Sequence, residues 1–262
     1  MTEKCCCVKE TGETVNVRRF LQTLDKCFSE NDLPAAQELV AYWTAEARRL
    51  GDDRGLLSVV NETLGLTRRT GDEEAGLAAC REAEALLERL RLSDALSAAD
   101  IYVNIATTMS CFGKAEEGLP RYDRAERILR ENGKAETYDF AALRNNKATA
   151  LEALGRLEEA EVCYRTAVDI LRREGAHDGD IAVTLIGLAH LVYDRNEADW
   201  QQSEALLDEA WEYLNSPRQV RDGSYAYILT KCAPSLRYFH REVEAEALEA
   251  VAREIYGGAA EE

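Results

Sequence analysis

A chain of 262 residues with only 4 prolines and 31% charged residues suits a nearly all-helical protein long enough to bury a sizeable core. Its 49 acidic against 32 basic residues give a net charge of −17, which argues against general nucleic-acid or anionic-membrane binding, because both need a basic surface. No stretch approaches the roughly 20 apolar residues of a membrane span, and the polar start MTEKCCCVKETGE lacks the apolar core of a signal peptide, so a cytoplasmic protein is expected.

Residues 1–14 read as a disordered tail. Its adjacent Cys5, Cys6 and Cys7 are poorly spaced for a closed tetrahedral metal site, and no metal or cofactor is expected anywhere in the chain. From Val15 the helical pattern begins. Val17, Phe20 or Leu21, Leu24 and Cys27 or Phe28 form a stripe opposite Arg18, Arg19 and Lys26. Asn31 and Asp32 supply a turn and an N-cap, and Pro34 sits near the next helix start, where its missing N–H costs little. The second helix carries Ala36, Val40, Trp43 and Ala47 and ends at Gly51, closing a first unit over 15–51. Units follow at 53–90 and 95–131, and Pro120 should kink the second helix of the latter or shift its start.

The clearest unit is 137–174. Ala148, Leu151 and Leu154 make one stripe, and Leu157, Ala160, Tyr164, Ala167 and Ile170 or Leu171 make the next, with Gly155 at the turn. A fifth unit, 180–215, places Leu188, Ala189 and Val192 in its first helix. An insertion of about two residues is expected at Asn196–Trp200 before Ser203, Leu207 and Ala210 resume the pattern. The sixth, 222–256, has Ala233, Leu236, Ala245 and Ala252 in register, and Pro234 predicts a kink. Its last helix is apolar on one side only and can cap the array, leaving 257–262 as a flexible tail.

These units repeat. Gly71, Gly113 and Gly155 are spaced by 42 residues. After them run the columns Gly76, Gly118 and Ala160, then Cys80, Tyr122 and Tyr164, then Ala83, Ala125 and Ala167. Two helices cannot bury their apolar faces alone, so neighbouring pairs must stack. The small–aromatic–Ala pattern around Ala148, Leu151, Gly155, Ala160, Tyr164 and Ala167 resembles the tetratricopeptide repeat family. That family's usual period is about 34 residues, so a period of 42 resembles its longer kinesin light chain type, with about one extra turn shared to each helix. The resemblance implies a right-handed α-solenoid of about six helix–turn–helix repeats, in a protein of bacterial type. Two departures stand out: Arg144 occupies a place where the family often has an aromatic residue, and the proline that commonly ends a repeat is absent.

The catalytic motifs GxxxxGKS/T, GxGxxG, HExxH and GxSxG are all missing, and His177, His190 and His240 lie in separate elements, so no enzyme is expected. The pairs Arg68–Arg69 and Arg172–Arg173 read as solvated helix faces. Cys27, Cys80, Cys111, Cys163 and Cys232 fall in or beside helical stripes and read as free thiols acting as small hydrophobes. What the resemblance implies is an interaction scaffold whose concave groove, lined by the first helix of each repeat, binds a peptide or protein segment. Carried onto this chain, the groove positions are Asn61, Asn104, Asn145, Asn146, His190, Tyr193, Tyr227, Lys231 and Arg237. A ladder of amides can clamp an extended backbone, and Lys231 and Arg237 can hold an acidic group. Each asparagine can equally serve a local cap or packing contact. The alternative function is a ligand-responsive regulator similar to bacterial peptide sensors built on such repeats, which the short segment before Val15 disfavours. Self-association is a third possibility.

Overall fold

The computed structural model describes residues 13–258, so the expectations for Cys5, Cys6 and Cys7 and for the last four residues lie outside what it describes. The described residues are helical almost throughout and contain no strand. The helices are α1 (Val17–Ser29), α2 (Leu33–Leu50), α3 (Asp53–Thr70), α4 (Glu73–Arg89), α5 (Ala98–Cys111) and α6 (Ala115–Glu131). They continue with α7 (Tyr138–Ala153), α8 (Leu157–Glu174), α9 (Asp178–Arg195), α10 (Trp200–Leu214), α11 (Gly223–Tyr238) and α12 (Glu242–Gly258). The expected insertion after α9 is a single 3₁₀ turn, Glu197–Asp199. Both α6 and α11 run unbroken through Pro120 and Pro234, and α6 begins at Ala115, so Pro120 does not shift its start.

Short polar residues start several of these helices and left-handed residues end many of them. Asp32, Asp52 and Asp72 each cap the following helix by accepting a backbone N–H three residues on, at 3.0, 2.9 and 3.0 Å. Gly71, Gly113 and Gly155, the column that reveals the repeat, all adopt positive φ, at +74°, +73° and +71°. A second such column closes the other turn of each repeat with Gly133 and Gly175, but there the equivalent residue in an earlier repeat is Arg91, at φ +56°. A side chain held in the left-handed region costs about 1–2 kcal/mol, part of which glycine returns through its freer unfolded chain. Arg91 is exposed and forms no ion pair among the described residues. Arg91→Gly should therefore stabilise the fold by about 0.5–1 kcal/mol, read as a melting temperature raised by roughly 1–4 °C. An unchanged or lower melting temperature would contradict the assignment.

The packing forms two layers. Each odd-numbered helix pairs with the even one after it, and α3, α5, α7, α9 and α11 also touch their odd neighbours in sequence, so the odd helices make the inner wall. The repeat columns fill the space between layers. Ala125, Ala148, Ala160 and Ala167 are fully buried, as are Tyr122 and, nearly so, Tyr164. The two tyrosines repeat even their hydrogen bonds: Tyr122 Oη meets Thr107 Oγ1 at 2.9 Å, and Tyr164 Oη meets Thr149 Oγ1 at 3.1 Å. A smaller apolar cluster, Phe20, Leu24, Ala36, Val40, Val59 and Leu66, joins the first repeat to the second, with Trp43 bridging it to the main core. Cys80, Cys163 and Cys232 are buried in that main core as expected, whereas Cys27 is half-buried and Cys111 exposed.

Candidate binding channel

The inner wall turns far enough to meet itself. The C-terminus of α1 abuts the N-terminus of α11, so the odd helices curve around a central channel whose two sides touch at one point. At this seam there is no room for a side chain at Gly223, because a Cβ there would lie 2.6 Å from the Ser29 carbonyl oxygen. The Arg69 guanidinium lies over both Phe28 of α1, at 4.4 Å, and Tyr227 of α11, at 3.8 Å, and so ties the two ends together. Tyr256 of α12 donates to the Gly223 carbonyl at 3.3 Å from behind.

Cavities indent the wall. One of about 330 Å³ lies between α1, α3 and α5 and is lined by Leu21, Asn61, Glu62 and Asp100. Another of about 240 Å³ lies between α7, α9 and α11, lined by Asn145, Glu152, Gly187, His190, Lys231 and Ser235. A third of about 160 Å³ sits between α7 and α9, against Tyr138, Asn145, Asn146 and Asp180.

The structure gathers some of the sequence-derived groove residues and disperses others. Asn145, His190 and Lys231 share the 240 Å³ cavity, and Asn146 lines the adjoining one. The side-chain amides of Asn145 and Asn146 have no hydrogen-bond partner among the described residues. Asn104 is engaged differently. Its Nδ2 donates to Asn61 Oδ1 at 3.1 Å, and Arg68 donates to its Oδ1 at 3.4 Å, so Asn61 and Asn104 brace α3 against α5. Tyr227 carries Arg69 on its ring and the Lys231 ammonium 5.2 Å away. Tyr193 packs edge-on to Tyr238 and Phe239 at 6.0 and 5.6 Å, in an aromatic cluster at the ends of α9 and α11 that His190 also joins. Arg237 is corrected: both of its terminal nitrogens bind Glu249 of α12, so it reaches to the outer layer and not into the channel.

Sequence reasoning also missed wall residues. Arg68 and Arg69 are not a solvated face. Arg68 is half-buried, donates to Thr108 Oγ1 at 2.8 Å and forms no ion pair among the described residues, and burial pulls its pKa down. Glu62, Asp100 and Glu152 line the cavities, and burial pushes all three carboxyls up. Their signal was weak, since charged positions at helical spacing look alike whether they face bulk water or a water-filled channel. Arg172–Arg173 does lie outside, pairing with Glu209 and Glu136.

Residues 139–216, which cover α7 to α10, match the sequence model of the tetratricopeptide repeat. That segment carries tetratricopeptide repeats. No curated protein sequence matches it significantly. Similar solved structures share the fold at low identity. The crystal structure of BtubC (BKLC) from P. vanneervenii is 20% identical, with 93% of this chain and 92% of that one covered and a TM-score of 0.57. A kinesin light chain-like protein of Podosopora anserina with nearly identical TPR-like repeats is 17% identical over 76% of this chain and 94% of that one, at 0.53. The Rap protein complexed with Competence and Sporulation Factor is 15% identical over 97% and 78%, at 0.59.

In this tetratricopeptide repeat array the aromatic place taken by Arg144 is explained by an ion network between repeats. Glu126 of α6 receives Arg144 at 3.3 Å and Lys147 at 2.9 Å from α7, and Arg130 at 2.8 Å from its own helix. Burial opposes the charge of Glu126, but the bonds from Arg130 and Lys147 and the charge of Arg144 outweigh it and hold the carboxyl below the usual range. A depressed carboxyl contributes stability that is present above its unfolded pKa, about 4.3, and is lost as pH falls through the folded one. Glu126→Gln should cost about 2 kcal/mol at neutral pH by leaving two half-buried cations short of a partner. The difference from wild type should hold down to about pH 4.3 and shrink only as pH falls further, through the depressed folded pKa of Glu126. Melting curves across pH test both parts, and a difference that persists at low pH would show that the network is not the cause.

Proposed function

We propose that the protein is a non-catalytic interaction scaffold that binds an extended peptide or protein segment along its central channel. The observation that supports this most is the pair of unengaged amides, Asn145 and Asn146, standing on the channel wall beside two cavities. An asparagine amide both donates and accepts, so it can hold a peptide unit whatever its side chain. Tetratricopeptide repeats generally serve protein–protein contact on their inner surface, which agrees with this reading. The free, buried thiols of Cys80, Cys163 and Cys232 suit a cytoplasmic setting, which we include in the proposal.

Display of random peptides on phage, selected against the full chain, supplies the ligand for the test. Asn145→Ala and Asn146→Ala should each weaken binding by about 0.5–1.5 kcal/mol while leaving the melting temperature near that of wild type. Asn104→Ala should lower the melting temperature, because it cuts the brace between α3 and α5. Selected peptides indifferent to Asn145 and Asn146 would place the partner elsewhere.

A ligand-responsive regulator is the second reading. The contact of α1 with α11 favours it, since a seam of few residues can open or close around a ligand. A structurally similar Rap protein is found in complex with Competence and Sporulation Factor. A change in radius of gyration on adding a selected peptide would distinguish the regulator from a rigid scaffold.

A further inference from the structure

Half-buried carboxylates of the outer helices are paired with cations. On the outer helices, Glu84 receives Arg121 at 2.8 Å, Glu126 receives three cations, and Glu161 receives Arg165 and Arg195 at 2.7 and 2.5 Å. Glu152, at the C-terminal end of α7, is half-buried in the channel wall and receives no cation among the described residues. Its one bond is from the Tyr164 hydroxyl at 2.9 Å, to Oε2. Nearby Asp194 adds a second negative charge. A carboxylate held out of water without a counter-charge is costly, and Glu84, Glu126 and Glu161 avoid that cost with an arginine or lysine.

The 240 Å³ cavity leads from the channel to this carboxylate. Ile186 and Gly187 form part of its apolar side, and the absence of a side chain at Gly187 is required, because a Cβ there would stand 2.8 Å from the Tyr164 ring. Asn145 and Ser235 bring an amide and a hydroxyl with no other hydrogen-bond partner among the described residues. Two basic residues also line the cavity, and neither neutralises Glu152. The Lys231 ammonium lies 5.2 Å from the Tyr227 ring, one helical turn back along α11. The ring of His190 packs against Tyr238 and Phe239, and burial lowers its pKa, which keeps it neutral at pH 7.

We propose that this cavity is a pocket for one basic side chain, arginine or lysine, of the bound peptide. The aliphatic stem lies along Ile186 and Gly187, the cationic head meets the free oxygen of Glu152, and Asn145 and Ser235 accept remaining N–H groups. The assignment rests on the channel being a peptide site, and it adds the chemistry that the peptide must carry.

The test uses the full chain and two pools of hexapeptide amides of random uncharged sequence. The pools differ only in one fixed central residue, arginine in one and its uncharged isostere citrulline in the other. Wild type should bind the arginine pool at least tenfold more tightly. Glu152→Gln, which keeps an acceptor for Tyr164, should bind both pools alike, and Glu152→Asp should keep an intermediate preference. Should the glutamine variant fail to fold, a preference reduced in the aspartate variant still supports the pocket, and one undiminished there overturns it. Equal binding of both pools by wild type overturns the pocket and leaves the peptide reading standing. A full arginine preference in Glu152→Gln also overturns it, by seating the basic residue elsewhere. Binding of neither pool removes the peptide reading itself, and the pocket with it.

Discussion

Gly223→Ala should lower the melting temperature by roughly 4–10 °C and enlarge the protein in solution, the largest response expected from adding one methyl group. The new Cβ would lie 2.6 Å from the Ser29 carbonyl oxygen, and that neighbour is backbone, which cannot swing aside as a side chain can. The strain is relieved only by parting α1 from α11, which also pulls Phe28 and Tyr227 off Arg69. Overpacking of this kind costs about 1–3 kcal/mol. Small-angle scattering should show a larger radius of gyration for the variant. Gly65→Ala is the matched control. The nearest atom to its new Cβ is Arg68 Nη2 at 3.8 Å, and alanine in a helix interior gains about 0.5–1 kcal/mol over glycine, so its effect should have the opposite sign. If Gly223→Ala changes neither melting nor size, the wall is not closed in solution.

Tyr122→Ala should be more damaging still, costing about 3–5 kcal/mol and most of the margin of an ordinary domain. Tyr122 is wholly buried between the layers, and its removal leaves a cavity that rigid neighbouring helices cannot fill. Tyr122→Phe isolates the hydroxyl. Thr107 keeps its own bond to the Val103 carbonyl at 2.8 Å, so this change should cost only about 1 kcal/mol. Tyr164→Phe, one repeat later, should differ, because there the hydroxyl also holds Glu152. Chemical denaturation of the three variants checks this order, and an alanine variant as stable as the phenylalanine one would mean that the repeat column does not carry the packing.

That column was legible in the sequence for a physical reason. Tyr122 and Tyr164 do the same job in successive repeats, so identical surroundings call for identical residues at a fixed interval, as do the left-handed turns at Gly71, Gly113 and Gly155. The seam was hidden because it occurs once. Ser29 and Gly223 meet from nearly opposite ends of the chain, and nothing in periodicity marks a contact that no other repeat makes. The direction of charged residues was equally hidden. Arg237 and Arg68 both occupy inner-layer helices, yet one reaches outward to a carboxylate on its hairpin partner and the other stays on the wall beside Asn104. The choice depends on where Glu249 and Thr108 happen to stand, which only the assembled helices reveal.

The contact of Gly223 with Ser29, and of Arg69 with Phe28 and Tyr227, ties the last repeat back to the first. In an open array each terminal repeat has a neighbour on one side only and can peel away by itself. Here the first repeat is held from two sides, so fraying at either end has to part the seam first.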